Sequence, residues 1–306
     1  MSKYVVIGSL NMDLVIESPS FPRVGETLLG KGFMTNPGGK GANQAVAMAR
    51  LGVEVTMAGC VGQDSFGREL LTNLAHHHIN IESILKTTEQ PTGVAVIVVS
   101  HSNNFIIVNP GANFELKPEH LESISGLIVE ADWCVLQMEI PLPAIEQAIH
   151  LAHQNNTKIL FNPAPAKVIA GALYPLIHTF TPNETECQIL SGLTIDNIES
   201  AKKAVDFFEH KGVNQVVITL GEKGVVYNQG EKRFHKPAYR VNAVDTTAAG
   251  DTFSGALAVG LSEKNNIHQA VDFALAASAI SVTRRGAQAS MPGREEVMRF
   301  LKEKSK

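Results

Sequence analysis

The chain has 306 residues, room for two domains or for one large α/β domain carrying an insertion. Its 44% hydrophobic and 18% charged residues exclude wholesale disorder. Twenty-six Lys and Arg against 30 Asp and Glu leave a net charge of −4 without a long basic run, so neither a phosphate backbone nor an anionic bilayer is the expected partner.

Tyr4–Leu10 reads as a buried strand beginning almost at the N-terminus, with no apolar leader ahead of it. Residues 11–32 are polar and Pro/Gly-interrupted, suiting loops or short exposed strands. A helix is expected over Gly41–Leu51, a strand over Val53–Ala58 and a helix over Ser65–His76. Thr92–Ser100 and Phe105–Val108 are β-branched runs separated by His101-Ser-Asn-Asn, a hairpin signal. Strands are then expected at Trp133–Leu136, Lys158–Phe161 and Gln215–Leu220. They alternate with helices at Leu142–His153, Glu184–Leu190 and Ile198–His210, the pattern of βαβ units and a mostly parallel sheet. Gly224–Tyr227 and Lys232–His235 suit a late hairpin. Asp251–Gly260, Ile267–Thr283 and Arg294–Lys302 read as helices. The expected fold is a Rossmann-like three-layer α/β/α body spanning 1–306 as a single domain, with a small β-sheet lid from insertions at approximately 12–32 and 92–108. No apolar run approaches the ~18–20 residues of a membrane span. Cys60, Cys134 and Cys187 form no C-x-x-C pair, so reduced thiols in a cytoplasmic protein are expected.

Four segments carry candidate chemistry. Asn36-Pro-Gly-Gly-Lys-Gly-Ala-Asn43 is a glycine-rich loop entering a helix. Its backbone can approach a ligand closely, and Lys40 and Asn43 supply donors suited to a polyhydroxylated molecule. It is not a Walker A loop, because Gly39-Lys40 precedes Gly41 and not Ser or Thr, and no G-x-G-x-x-G follows a strand. Asp245-Thr-Thr-Ala-Ala-Gly250-Asp251 is a strand-to-helix junction. Its small residues Ala248, Ala249 and Gly250 leave N–H groups open for an anion, and Asp251 suits a general base. An Asp N-cap is the plain structural alternative. Asn183 and Glu186 fit both a capping box and water-mediated Mg²⁺ binding. Thr219-Leu-Gly221-Glu-Lys-Gly224 fits a hairpin or a nucleotide-contacting loop. The run His76-His-His78 offers no ligand geometry for a metal hydrolase, since consecutive helical side chains diverge.

Taken together, these segments resemble the ribokinase family of sugar and nucleoside kinases over essentially the whole chain. Gly8-Ser-Leu-Asn-Met-Asp13, the Gly-Gly-Lys-Gly-Ala-Asn loop and Asp245–Asp251 are its most specific marks. The resemblance implies ATP-dependent phosphorylation of ribose at its 5-hydroxyl. Related kinases of 2-deoxyribose, fructose or adenosine, or a non-catalytic sugar sensor, are the alternatives. It also implies that Asn11, Asp13, Gly39, Lys40, Gly41, Asn43 and Glu139 bind the sugar. Asp251 would be the base beside an Ala248–Gly250 anion hole. Asn183, Thr219, Gly221, Gly224 and Gly250 would meet the nucleotide, and Asn183 and Glu186 would hold Mg²⁺ through water. Asp245, Thr247, Ser281, Arg284, Gly286 and Ser290 would hold a monovalent cation such as K⁺. A homodimer paired through the lid sheets is expected. Family members often carry Gly where Ala248 stands, and a β-carbon fits there if φ is negative.

Overall fold

Side chains along the first strand alternate between two hydrophobic clusters. Tyr4 and Val6 pack into one, Val5 and Ile7 into the other. Trp133 and Val135 against Cys134 and Leu136 repeat the alternation, as do Leu160 against Ile159 and Phe161. Strands buried on both faces need helices on both sides, which is the three-layer arrangement. The computed structural model describes residues 2–100, 103–264 and 266–304.

The chain opens with β1 (Lys3–Ile7), β2 (Asn11–Glu17), β3 (Gly32–Gly38), α1 (Lys40–Arg50), β4 (Glu54–Gly62), α2 (Ser65–His76) and β5 (Ile84–Thr87). It continues through β6 (Gly93–Ser100), β7 (Asn103–Asn109), α3 (Pro118–Ser123), α4 (Ser125–Glu130), β8 (Trp133–Leu136), α5 (Leu142–Gln154) and β9 (Lys158–Phe161). Then come β10 (Thr179–Phe180), α6 (Glu184–Ser191), α7 (Ile198–His210), β11 (Gln215–Thr219), β12 (Val225–Gln229) and β13 (Lys232–Lys236). Helices α8 (Ala249–Glu263), α9 (Ile267–Ser281) and α10 (Arg294–Lys304) close it.

Nine strands form the central sheet in the order β13-β12-β11-β10-β9-β8-β1-β4-β5, parallel except for the β11-β12-β13 meander. The second sheet has the order β3-β2-β6-β7. In it β2 runs parallel to β6 and antiparallel to β3, and β6 is antiparallel to β7. The expected single strand Tyr4–Leu10 divides: β1 ends at Ile7, the Gly8 N–H donates to the Ala58 carbonyl, and β2 leaves for the second sheet at Asn11. Residues 18–31 contain no strand, and β3 runs past position 32 to Gly38. His101 and Ser102 of the expected hairpin lie outside the described residues.

Two junctions set the site. Asp64 caps α2 by accepting from the Gly67 N–H, and also accepts from the Thr92 N–H and hydroxyl at 2.8 and 2.7 Å. The base of β6 is thereby tied to the body. Helices α1 and α8 meet at Gly255, where an added Cβ would lie 2.9 Å from both Ala47 Cβ and the Gln44 carbonyl oxygen. One turn earlier on the same face of α8 stands Asp251.

Candidate active site

Residues of β2, β3 and α1 build one half of a cleft. The register Asn11↔Gly38 and Asp13↔Asn36 sets β2 beside the glycine-rich segment. A Cβ on Gly38 would lie 2.4 Å from Asp13 Oδ2, so a glycine is what lets that carboxylate occupy its place. Gly39 has φ 88°, a left-handed conformation that turns the chain into α1. The Gly41 Cα packs on the Gly8–Ser9 backbone and its N–H donates to Ser9 Oγ, which closes α1 onto the end of β1. The Lys40 N–H and the Ser9 hydroxyl both donate to Glu139 Oε2, at 3.0 and 2.5 Å. Asn11 is buried and accepts at Oδ1 from Asn113 Nδ2 at 2.8 Å.

Charge is concentrated here. Burial, followed by repulsion from Glu139 and Asp251, pushes the Asp13 carboxyl up to about 7, against the opposing pull of Lys40. The Lys40 ammonium is held above its ordinary value chiefly by Asp251, against the cost of its burial, with Glu139, Glu186 and Asp13 adding. One cation facing several carboxylates suits a ligand that offers hydroxyl donors to the acids and oxygen acceptors to the lysine.

Asp251 lies in the first turn of α8 but is not its N-cap. That position belongs to Ala248, which makes no side-chain capping bond. The buried Asp251 carboxylate instead accepts from Asn43 Nδ2 at 3.0 Å and from Gln44 Nε2 at 3.2 Å. Ala248 has φ 57° and ψ 15°, contrary to the expected negative φ. The chain passes from a tight turn, in which the Ala249 N–H donates to the Thr246 carbonyl, straight into a helix whose first bond runs from the Thr252 N–H to the Ala248 carbonyl. That passage takes one left-handed residue. The Ala249 N–H is therefore engaged, while those of Gly250 and Asp251 meet no acceptor among the described residues. A Cβ on Gly250 would meet nothing within 4 Å, so this stretch of backbone borders open space.

That space is a cavity of about 940 Å³ whose lining includes Asn183, Thr219, Gly221, Gly224, Ala249 and Gly250. The lining also includes the largely apolar Tyr239, Val241, Phe253, Leu275 and Val282. The Thr219–Gly224 segment is both a hairpin connection and a cavity wall, so the two readings of it are compatible. Asn183 and Glu186 form the capping box of α6. Asn183 Oδ1 accepts from the Glu186 N–H, and the Glu186 carboxylate accepts from the Asn183 N–H and Nδ2, all at 2.8 Å. Burial raises the Glu186 carboxyl above its ordinary value, with Asn183 and Lys40 pulling it down. The described residues contain no group of three or more His, Cys, Asp or Glu fit to enclose a metal. The Asn183 amide oxygen and the Glu186 carboxylate are the hard oxygen donors that a hydrated Mg²⁺ takes.

Beside the α8 N-terminus, Asp245 Oδ1 accepts from the Thr247 N–H and hydroxyl, and Oδ2 from the Gly286 N–H at 2.9 Å. Burial opposes ionisation of Asp245, but those hydrogen bonds outweigh it and hold the carboxyl below its usual range. An ionised acid fastening two loops suits a monovalent cation held by neighbouring carbonyls. The cationic Arg284 side chain pairs with Glu296, so that residue could offer only its carbonyl, whereas the Ser290 hydroxyl donates to the Ala287 carbonyl and keeps its oxygen lone pairs. The Ser281 hydroxyl likewise donates to the Ser278 carbonyl.

Sequence reasoning missed Ser9, Gln44, Asn113, Gln137, Asn162 and Gln288, whose polar groups hold the named residues in place. Ser9 lies inside the Gly8–Asp13 segment, Gln44 directly follows Asn43 and Gln137 stands two residues before Glu139, and those positions were the signals present.

The pfkB family carbohydrate kinase model matches residues 1–294. A ribokinase of Haemophilus influenzae is 43% identical over 298 residues, covering 97% of each chain. The structure described as Arabidopsis thaliana ribokinase complexed with ribose and ATP superposes with a TM-score of 0.92 at 32% identity, covering 99% of each chain. A deoxyribokinase of Salmonella typhi is 37% identical over 97% of each chain. With the glycine-rich loop, Asp251 and the adjoining cavity all in one cleft, the chain belongs to the pfkB family of carbohydrate kinases.

Proposed function

We propose that this chain is a ribokinase, transferring the γ-phosphoryl group of ATP to the 5-hydroxyl of D-ribose to give ribose 5-phosphate and ADP. The observation that carries this reading is the position of Asp251. Its carboxylate is bonded to Asn43 of the glycine-rich segment, and its neighbour Gly250 lines the 940 Å³ cavity. One acid thus stands between a hydroxyl-binding pocket and a nucleotide-sized cavity. Ribokinases at about 40% identity and the ribose- and ATP-bound relative support the same reading.

In the step, Asp251 takes the proton of the 5-hydroxyl while that oxygen bonds to the γ-phosphorus. The bond from phosphorus to the bridging oxygen breaks, and ADP departs with its electron pair. Free N–H groups at Gly250 and Asp251 face the charge that develops, where most of the catalysis of phosphoryl transfer arises. Asn11, Asp13, Lys40, Asn43 and Glu139 orient the sugar. The apolar lining residues receive the adenine, and Thr219–Gly224 borders the phosphates. Mg²⁺, held through water by Glu186 and by Asn183, would neutralise phosphate charge. K⁺ among the carbonyls near Asp245 and Gly286 would steady the turn carrying the free N–H groups. The described residues include no helix long and apolar enough to cross a membrane, and the three cysteines are free and buried, which goes with a cytoplasmic enzyme. The lid sheet exposes Phe33, Phe105, Ile106 and Ile107, a surface suited to a second copy of the chain.

The test is ATP consumption with ribose, 2-deoxyribose, fructose and adenosine, each with and without K⁺. Ribose should give the highest kcat/KM, and K⁺ should raise the rate. Asp251→Ala should lower kcat by orders of magnitude while ribose still binds. An active Asp251→Ala enzyme would refute the assignment, and preference for deoxyribose would favour the runner-up.

A further inference from the structure

Asp251 is held by amides whose direction is fixed from both sides. An ionised carboxylate only accepts hydrogen bonds, so Asn43 and Gln44 must turn their NH₂ groups toward it. Each then presents its carbonyl oxygen outward, and each oxygen is met by another amide. Gln288 Nε2 donates to Asn43 Oδ1 at 3.1 Å, and Asn73 Nδ2 donates to Gln288 Oε1 at 2.6 Å. On the other side, Gln137 Nε2 donates to Gln44 Oε1 at 2.7 Å. Gln44 Nε2 is shared between Asp251 Oδ1 and Asn162 Oδ1, and Asn162 Nδ2 donates to the Thr181 carbonyl at 2.8 Å. Asn73, Gln288 and Asn43 on one side, and Gln137 and Gln44 on the other, each donate toward Asp251, while Asn162 takes the second Gln44 hydrogen and donates away to Thr181.

Gln137 shows that this direction is enforced. Its Oε1 is buried and meets no hydrogen-bond partner among the described residues. Rotating the amide by half a turn would set two amide oxygens face to face at Gln44. Rotating Gln44 as well would set an oxygen against the carboxylate. The fold tolerates an unpaired buried oxygen and keeps the donor aimed along the chain, although such groups are costly and uncommon.

We infer that Gln44 and Gln288 are positioning residues for the phosphoryl transfer, two polarised amide relays that fix the two oxygens of Asp251 against rotation. Gln44 acts on Oδ1, with Gln137 acting through it. Gln288 acts on Oδ2 through Asn43. Neither residue lines the nucleotide cavity, so the relays affect the reacting geometry and not ATP binding. The inference rests on the reading of Asp251 as the base.

The test compares Gln44→Met, Gln137→Met, Gln288→Met, the double variant Gln44→Met/Gln137→Met and Asp251→Asn. Melting curves confirm folding. Gln44→Met should lower kcat roughly 10–100-fold, in line with the cost of misplacing a reacting group, with the KM for ATP within about twofold. Gln288→Met and Gln137→Met should show the same split with losses of about five- to tenfold. The double variant should be no slower than Gln44→Met, because Gln137 has no route to Asp251 except Gln44. Wild-type kcat in folded Gln44→Met and Gln288→Met, or losses at 44 and 137 that multiply, would overturn the relays. If Gln44→Met does not fold, Gln288→Met and Gln137→Met decide by the same criterion. An active Asp251→Asn would instead remove the base assignment itself, and an inactive one beside unaffected Gln variants would refute the relays alone.

Discussion

Asp13 is the proposed sugar ligand on which charge bears most directly. Its carboxyl is raised to about 7 by burial and by the neighbouring acids Glu139 and Asp251. A raised value means that the sugar-free fold gains from the protonated form, a gain complete below about pH 4 and lost as pH rises through about 7. A sugar hydroxyl donating to Asp13 needs the ionised form. The Kd for ribose should therefore be flat above about pH 8 and weaken toward about tenfold per pH unit below 7. Asp13→Asn should bind more weakly with a flat profile, and calorimetric titration of both proteins across pH 5.5–8.5 checks this. Ala248 offers a second test at this scale. Its left-handed φ strains a residue with a β-carbon by about 1 kcal/mol, and glycine would relieve the strain while adding freedom to the unfolded chain. Ala248→Gly should net about 0.5 kcal/mol, seen as a rise in Tm of about 1–2 °C. Residues with a charge or a glycine signature were legible from the sequence: Asp13, Lys40, Asp251 and Gly39. The amides that hold them were not, because Gln44, Asn162 and Gln288 titrate nothing. The bonds that tie them to Asp251, to Asn43 and to one another span 93 to 245 residues, so only the fold brings them together.

Helices α1 and α8 carry the two halves of the site on facing surfaces, and their separation is set by Gly255. A methyl group there would lie 2.9 Å from Ala47 Cβ and from the Gln44 carbonyl oxygen, both on the α1 side that presents Gln44 to Asp251. Gly255→Ala should cost about 1–3 kcal/mol through overpacking, a fall in Tm of several degrees, and should lower kcat more than it changes the KM for ATP. A fall in Tm with kcat untouched would mean that the helices part without moving Asp251. Strand β6 is fastened comparably by Thr92 on Asp64. Asp64→Ala removes the α2 cap together with two bonds to Thr92, and should cost about 1–3 kcal/mol and raise the KM for ribose, with thermal melts and steady-state kinetics as the measurements. Most of these elements could be read from the sequence, because β8, β9, α2 and α7 have clear apolar periodicity and clear ends. The break between β1 and β2 could not. Leu10 and Met12 continue the apolar run, and only the departure of Asn11 into a second sheet separates the two strands.

Across the whole molecule, the two clusters on either face of the nine-stranded sheet leave few large apolar side chains in the body exposed, whereas the second sheet is the reverse. Along β7, Phe105, Ile106, Ile107 and Val108 are 56%, 50%, 57% and 44% exposed, and at the other edge Phe33 is 67% exposed. Both β7 and β3 are edge strands, so unpaired backbone groups accompany the apolar side chains, a combination that proteins leave uncovered only rarely. Consecutive residues of β7 point to opposite faces of the sheet, so no single helix of the same chain would cover them all. A second copy presenting its own β3-β2-β6-β7 sheet would cover the residues of one face, Phe105 and Ile107 among them, by a self-complementary contact, the usual form of a homodimer interface. Light scattering should give twice the mass of the 32.9 kDa chain at micromolar concentration. Replacing Phe105 and Ile107 together by Lys should shift the mass toward that of one chain. Because β2 and β3 of this sheet also carry Asn11, Asp13 and the approach to Gly39, the dissociated form should show a raised KM for ribose with little change in the KM for ATP. A mass equal to one chain at every concentration would refute the pairing, and a dissociated variant with an unchanged KM for ribose would show that the sheet holds its sugar-binding residues without a partner.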